Sequence, residues 1–360
     1  MAQWIDWGNG HDGSPNAISG TVNTYASCTG TATQTVLTTT LSAGAGDVIL
    51  CHQSQGTGAG KWEIVGVASD AGATLNLTSA LTNSYSAGAQ CVLIPQYTGG
   101  TLSGAVTATA WNGSVGGIIA LMSSGDLTIS GSLSVVGNGF RGGVASSNQA
   151  IGYSGEGTVG TTLQQLANRG NGGGGARADA SSSSTASGAP GGNGEVGGAV
   201  VGNTPYTAGT AGVVSGNAGL TNITFGGGSG GGGGDQNGPY GAGVSGGGII
   251  FIFAKNITVT GSIVSTGTAG TAGYYTGGSG GAGGSILIKC QTAILGTNKI
   301  TAAGGTYGVD GAYRGGAGGV GRIRCDYYTS VTGTTTPALS SAEDPSLNVP
   351  GNTGAFFQFL

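Results

Sequence analysis

The sequence predicts an all-β protein, with a small amino-terminal β-barrel or sandwich followed by a glycine-rich, β-solenoid-like body with tracts of polyglycine-II type. Three observations predict it. Short β-branched segments bounded by turn residues fill the first hundred positions, an apolar strand motif recurs at intervals of 36 and 37 residues, and glycine returns at every third position between the motifs.

The amino-terminal module is set apart by composition, since residues 1–100 hold 15 glycines and residues 201–320 hold 38. Within it, Asp47-Val48-Ile49-Leu50-Cys51, Lys61-Trp62-Glu63-Ile64-Val65-Gly66-Val67, Thr74-Leu75-Asn76-Leu77 and Gln90-Cys91-Val92-Leu93-Ile94 read as strands. Each is short, β-branched or alternating, and flanked by Gly, Ser or Asn. Turns such as Asp70-Ala71-Gly72-Ala73 connect them in an antiparallel arrangement. We assign residues 1–110 to this module, with Trp4, Trp7 and Trp62 as large amphipathic rings suited to an attachment interface.

The body, residues 111–330, is built on a repeat. Gly117-Ile118-Ile119-Ala120-Leu121 aligns with Gly248-Ile249-Ile250-Phe251-Ile252, and the stretch 127–133 aligns with 257–263 through a shared Gly-Ser. A third copy begins at Gly284-Ser285-Ile286-Leu287-Ile288 and a shorter fourth at Gly321-Arg322-Ile323-Arg324-Cys325. A unit of this length cannot bury its own apolar face and becomes stable when stacked on its neighbours. Stacking places Ile250, Ile252, Ile257, Val259, Ile263, Ile286, Ile288 and Ile300 in a common core.

Between the strands, glycine recurs at 191, 194 and 197, at 267, 270 and 273, at 278, 281 and 284, and at 315, 318 and 321. Three residues per turn is the geometry of a polyproline-II-type helix, which glycine adopts without proline where backbones pack closely. Ordering glycine costs more entropy than ordering any other residue, so the tracts are either a packed, laterally hydrogen-bonded bundle or long flexible loops. The polar stretch 171–187 is the best candidate for mobility, and residues 331–360 form a carboxy-terminal tail.

Composition excludes several classes. The 82 glycines lack a strict period along the whole chain and proline numbers 8, which rules out collagen. A hydrophobic content of 38% with net charge -4 is unlike a disordered chain. Ten basic residues supply too little charge to neutralise a phosphate backbone, so nucleic acid is not an expected partner. The first ten residues show neither the basic nor the apolar region of a signal peptide, and no apolar run approaches the length needed to insert in a membrane. The five cysteines are widely spaced without a Cys-x-x-Cys and read as small buried hydrophobes.

Chemistry-bearing motifs are few. Gly56-Thr57-Gly58-Ala59-Gly60-Lys61 resembles a phosphate loop but has Gln55 and Trp62 where Gly and Ser or Thr are required, and reads as a hairpin loop. Gly233-Gly234-Asp235-Gln236-Asn237 lacks the apolar position of a calcium-binding nonapeptide. The histidines, His11 and His52, lie in different segments, and no nucleophile–base arrangement is visible. Asp47 with Glu63, or Asp310 with Asp326, are the carboxylate pairs open to glycosidase chemistry. We expect no enzyme activity and no cofactor or metal.

Aromatic residues carry more information. Phe140, Tyr153, Tyr206, Phe225, Tyr240, Tyr274, Tyr275, Tyr307 and Tyr313 lie in or beside the glycine tracts, with Arg141 and Arg314 adjoining two of them. Such rings either stack on a ligand at low entropic cost or cover glycine backbone as a local core. Tyr274-Tyr275 follows one tract and Tyr313-Arg314 precedes the equivalent tract one repeat later. Stacked repeats therefore place Tyr274, Tyr275, Tyr307, Tyr313 and Arg314 on one face as candidate receptor-binding residues.

The β-rich amino terminus combined with period-three glycine, as at 267–284 and 315–321, resembles the glycine-rich adhesins at the tips of T-even-type phage tail fibres. More loosely, it is similar to glycine-rich β-helical fibre and surface proteins of phages and bacteria. The resemblance covers about residues 137–325, and it implies an amino-terminal portion that attaches to a fibre, packed glycine helices, and aromatic loops that touch a host receptor. The apolar run Ile249-Ile250-Phe251-Ile252-Phe253-Ala254 departs from the adhesin pattern and points to a solenoid decorated with glycine arms. The function implied is a non-enzymatic virion surface protein, a receptor-binding tail fibre or spike component, assembled in the host cytoplasm and oligomeric in the particle. Its partners would be other virion proteins and a host surface glycan or outer-membrane protein. The alternatives are a capsid decoration or structural fibre protein and, further off, a secreted cell-surface adhesin or a glycan depolymerase.

Overall fold

A computed structural model describes residues 7–16, 18–147, 150–178, 186–201, 206–234, 241–272, 277–310 and 313–348. The chain is all-β, with no α-helix among the described residues. After the two-residue strand β1 (Gly20–Thr21), six strands close an antiparallel barrel: β2 (Tyr25–Gly30), β3 (Val36–Thr39), β4 (Val48–Gln53), β5 (Trp62–Asp70), β6 (Thr74–Leu77) and β7 (Ala89–Ile94). The period-two alternation of strands sorts the barrel's side chains. Ile49, Cys51, Val65, Val67, Leu75 and Cys91 fill its interior, while Val48, Leu50, Trp62, Ile64, Val92 and Ile94 face outward.

Those outward residues are themselves buried, because this wall of the barrel lies against a large parallel sheet. The sheet is built from β8 (Gln96–Tyr97), β9 (Gly100–Leu102), β10 (Ala105–Thr107), β11 (Ile118–Ile129), β12 (Ser132–Ser134), β15 (Ile249–Val259), β16 (Ser262–Val264), β17 (Ser285–Thr301), β20 (Arg322–Thr336) and β21 (Ser340–Glu343), together with β1. Two further ladders of two residues, β13 (Arg177–Ala178) with β14 (Tyr206–Thr207) and β18 (Val309–Asp310) with β19 (Tyr313–Arg314), lie among the glycine tracts. The copies aligned in sequence pair in parallel: Ile119, Ile250 and Ile286 are register partners in turn, and Ile286 pairs with Ile323.

The body is not the β-solenoid that the repeat suggests. The repeats do not wind into complete coils. The first two copies contribute two strands each, β11 with β12 and β15 with β16, and the last two one long strand each, β17 and β20, to a single curled sheet. The chain leaves the sheet through glycine tracts that belong to no strand of it. The curl follows from breaks in the strands, where the register shifts between Ser123 and Asp126 and the chain turns at Ser130 and Gly131. Ile119, Leu121, Leu127, Ile129 and Leu133 line the inside of the curl, stacked on Ile250, Ile252, Ile257, Val259, Ile263, Ile286, Ile288 and Ile300. The opposite face, with Ile118, Ala120, Met122, Ile249, Phe251, Phe253 and Leu287, packs on the barrel. A parallel sheet covered on both faces requires unbroken apolar runs, and this accounts for the sequences of β11 and β15.

The unit boundaries also differ from composition. The barrel closes over residues 25–94, whereas residues 96–107 belong to the parallel sheet, and the stretch assigned to a tail completes β20 and adds β21.

Candidate functional site

The glycine tracts form a slab beyond the sheet, held by backbone hydrogen bonds in three directions. Along residues 226–234, the N–H groups of Gly226, Ser229 and Gly232 donate to Gly247, Val244 and Gly241. Those of Gly227, Gly230 and Gly233 donate to Gly192, Ala189 and Ala186, while those of Gly228 and Gly231 donate to Glu156 and Tyr153. Every third residue therefore addresses the same neighbour, as a backbone with three residues per turn requires. Of the two arrangements open to the sequence, the described tracts take the packed one. A Cβ placed on Gly228 would overlap the backbone of Arg141, and one on Gly230 that of Gly174. The polar side chains inside the slab are partnered: Asn171 donates to the Phe225 carbonyl at 2.8 Å, and fully buried Glu156 pairs with Arg141 at 2.6 Å.

Two tract hairpins set the far end of the slab. Residues 265–272 leave β16 and residues 277–284 return into β17, joined by Gly278 to Thr271, Gly281 to Thr268 and Gly284 to Ser265 bonds of 2.8–3.0 Å. Residues 302–308 and 315–321 repeat the pattern between β17 and β20, and Gly308 donates to Gly278 at 2.9 Å, so the hairpins lie side by side. The described ends of both hairpins, Ala272 and Gly277 in the first and Gly308 and Gly315 in the second, therefore lie at one end of the slab. Tyr274 and Tyr275 belong to the first connection and lie outside the described residues. At the second, Val309 pairs with Arg314 and Asp310 with Tyr313, the side chains of Asp310 and Tyr313 also lying outside what is described.

The two candidates whose side chains are described there, Tyr307 and Arg314, meet. Arg314 Nη1 donates to Tyr307 Oη at 2.7 Å, and the guanidinium carbon sits 4.8 Å from the ring centroid. The strand beneath is anchored by reciprocal bonds, Val201 N to Arg314 O at 2.9 Å and Arg314 N to Val201 O at 2.8 Å. Val201, Tyr307 and Val309 are 40%, 36% and 51% exposed, so a ring, two aliphatic side chains and a guanidinium share one exposed rim. Such a rim can stack on a sugar or side chain and donate hydrogen bonds to hydroxyl or carboxyl oxygens. Val201 and Val309 were not legible as site residues, since neither the Val200-Val201 pair nor the lone Val309 carries a positional signal in a glycine-rich stretch.

The attachment residues are placed differently from expectation. Trp7 is buried against Leu347 and Tyr328, and Trp62 is buried between barrel and sheet, its ring 5.0 Å from Phe251 and its Nε1 donating to Leu220 O at 2.9 Å. These rings are core, closed to a partner, and Trp4 lies outside the described residues. Phe140 and Phe225 are likewise core, packed edge-on at 5.2 Å beside Trp111. Arg141 is engaged with Glu156.

Three of the four candidate carboxylates have described partners, and the side chain of Asp310 lies outside what is described. Glu63 accepts the backbone N–H groups of Thr82 and Asn83, both at 2.8 Å, and Asp47 accepts that of Gly44. Asp326 is held by Lys289 at 2.8 Å and Arg324 at 2.6 Å. The Gly56–Lys61 segment is the loop of the β4–β5 hairpin, closed by Gly60 N to Gln53 O at 2.8 Å. His52 is buried at the seam between barrel and slab, and desolvation lowers its pKa from 6.5 to about 4. Among the described residues no group of three His, Cys, Asp or Glu side chains is arranged to hold a metal, and all five cysteines are buried free thiols. Hydrogen bonding with neighbouring thiols, and then burial, push Cys28 and Cys91 well above the ordinary range. No described helix is long and apolar enough to cross a membrane.

Compared with known proteins, the chain matches no family model, no curated protein and no solved structure.

Proposed function

We propose that the chain is a non-enzymatic virion surface protein, a receptor-binding tail fibre or spike component of a phage, which recognises a host surface glycan or outer-membrane protein through the far end of its glycine slab. The observation that carries the reading is the slab itself. Glycine-rich tracts pack backbone against backbone, and the described ends of two tract hairpins lie side by side where Tyr307 and Arg314 are exposed. Rigid presentation of aromatic and guanidinium groups lowers the entropy lost on binding. The resemblance to glycine-rich adhesins over the same residues points the same way.

The test uses the full chain, fluorescently labelled, incubated with a panel of bacterial cells, beside the Tyr307→Ala and Arg314→Ala variants. Saturable binding to particular cells that both variants lose at an unchanged melting temperature supports the proposal. Absence of binding across the panel, with antibody label on the capsid of the parent particle, would replace it with the decoration role.

A further inference from the structure

We propose that Lys289 and Asp326 are joined by an intramolecular isopeptide bond that the folded chain forms for itself. The two are register partners on adjacent strands β17 and β20, with Lys289 Nζ 2.8 Å from Asp326 Oδ2 and side chains 9% and 11% exposed. On its other side Lys289 is the register partner of Phe253, which is 3% exposed, and Asp326 is that of Ala342. A second carboxylate covers the pair: Asp344 Oδ2 lies 3.8 Å from Nζ. Its other oxygen is held by Ser346 through the backbone N–H at 3.1 Å and the hydroxyl at 2.6 Å. Arg324 Nε donates to Asp326 Oδ1 at 2.6 Å and Nη1 to Ser340 Oγ at 3.0 Å, which fixes the carboxyl plane.

This is more apparatus than an ion pair needs. Desolvating a buried ion pair can cost more than its attraction returns, whereas an amide in the same place leaves neither charge to desolvate. The geometry supplies each step. A proton passes directly from Nζ to Oδ2, giving a neutral amine beside a neutral acid. The Nζ lone pair attacks Cγ, and the negative charge that develops on Oδ1 faces the Arg324 Nε–H, positioned as an oxyanion donor. Asp344 takes one proton from Nζ and delivers it to the hydroxyl at Oδ2, which leaves as water while the Cγ–Oδ1 double bond re-forms. In sum, one ammonium and one carboxylate become one amide and one water, with no oxidant, reductant or co-reactant. Fixing the two groups side by side provides the effective concentration, and the closed surroundings limit hydrolysis. The bond would lock together the last two long strands of the sheet.

The experiment is intact-mass spectrometry of the purified, folded full chain under denaturing conditions, followed by tryptic mapping. The expected result is a mass lower than that of the sequence by one water, no cleavage after Lys289, and a branched peptide joining Lys289 to Asp326. Lys289→Arg should carry the full sequence mass. Asp344→Asn, which retains the hydrogen-bonding oxygen at Ser346, should also stay at full mass while remaining folded. Wild-type protein at full sequence mass with ordinary cleavage after Lys289 overturns the proposal even if every variant fails to fold. A folded Asp344→Asn protein lighter by one water removes Asp344 from the chemistry.

Discussion

Acidification should loosen the seam between barrel and slab through a single imidazole. His52 Nε2 lies 2.9 Å from the Ile223 carbonyl, which can only accept, so Nε2 carries the proton and Nδ1 accepts from Ser54 Oγ at 2.9 Å. The ring packs edge-on against Phe225 at 5.7 Å with no water-facing surface, so charging it there is costly. Burial lowers the pKa from 6.5 to about 4. The folded value therefore lies below the unfolded one, and as pH falls the unfolded chain binds a proton first. Stability from this residue is fully present above pH 6.5, declines between 6.5 and 4, and levels off below. At roughly 1.4 kcal/mol for each pH unit of displacement, the loss across the window is about 3 kcal/mol. The measurement is urea unfolding of wild type and His52→Gln at a series of pH values, because glutamine offers the same donor and acceptor without titrating. Carboxylates titrate in both proteins, so the difference between the two isolates the imidazole. The wild-type advantage should shrink by about 3 kcal/mol from pH 7 to pH 4. A difference that stays constant over that range refutes the account.

Three other perturbations separate the layers of the fold. Ile252→Ala should cost about 2 to 5 kcal/mol in thermal or urea unfolding, and Ile252→Asp should leave no soluble folded protein, since a carboxylate inside the curl has no partner. Trp62→Ala removes a buried ring and its bond to Leu220 O, and should cost about 3 to 5 kcal/mol while detaching barrel from sheet, seen as two melting transitions in place of one. Gly228→Ala should collapse the slab, because the added Cβ overlaps the Arg141 backbone, whereas Gly219→Ala, whose nearest atom is Asn217 Oδ1 at 4.0 Å, should be neutral or gain up to about 1 kcal/mol. Hydrogen exchange over residues 226–234 distinguishes the two glycines, with protection lost in the first variant and kept in the second.

What was legible in the sequence was what repeats. The alignment of Ile118-Ile119 with Ile249-Ile250 is the register in which β11 and β15 pair, because side-by-side parallel strands must match apolar residue to apolar residue. The three-residue glycine spacing gave the tract geometry for a similar reason, since each neighbour is addressed once per turn. What repetition could not show is where the chain goes between strands. Nothing in the period distinguishes a third strand of a coil from a pair of glycine tracts leaving the sheet, and the solenoid expectation failed there. Trp7 and Trp62 are buried because amphipathic rings suit the interior seam of one chain as well as the interface between two, and Trp62 satisfies its N–H internally at Leu220. Of the receptor-face candidates, the approach of Arg314 to Tyr307 was implicit in their spacing only once the tracts were known to run antiparallel.

The distribution of side chains explains why the candidate site sits where it does. A slab in which a Cβ would strike a neighbouring backbone at position after position has little room for side-chain chemistry inside it. Polar groups inside it, among them Glu156, Asn171, Asn193, Ser229 and Ser279, are buried and spent on internal hydrogen bonds. The barrel interior is filled by aliphatic residues, tyrosine and free thiols, and the curl by isoleucine and leucine, neither offering an open polar surface. The proposed binding rim accordingly lies at the ends of the tracts, where Val201, Tyr307 and Val309 are exposed. There, substitutions change the exposed surface without disturbing the hydrogen bonds behind it. Exchanging Val201 or Val309 for other residues should consequently alter what the rim binds while leaving the melting temperature within about 0.5 kcal/mol equivalent of wild type, as is usual for surface positions. Unfolding curves set beside cell-binding profiles for a small library at these two positions decide the matter. Binding that varies across the library at constant stability fits a rim free to diversify, and stability that varies in step with binding would mean that the rim is part of the core.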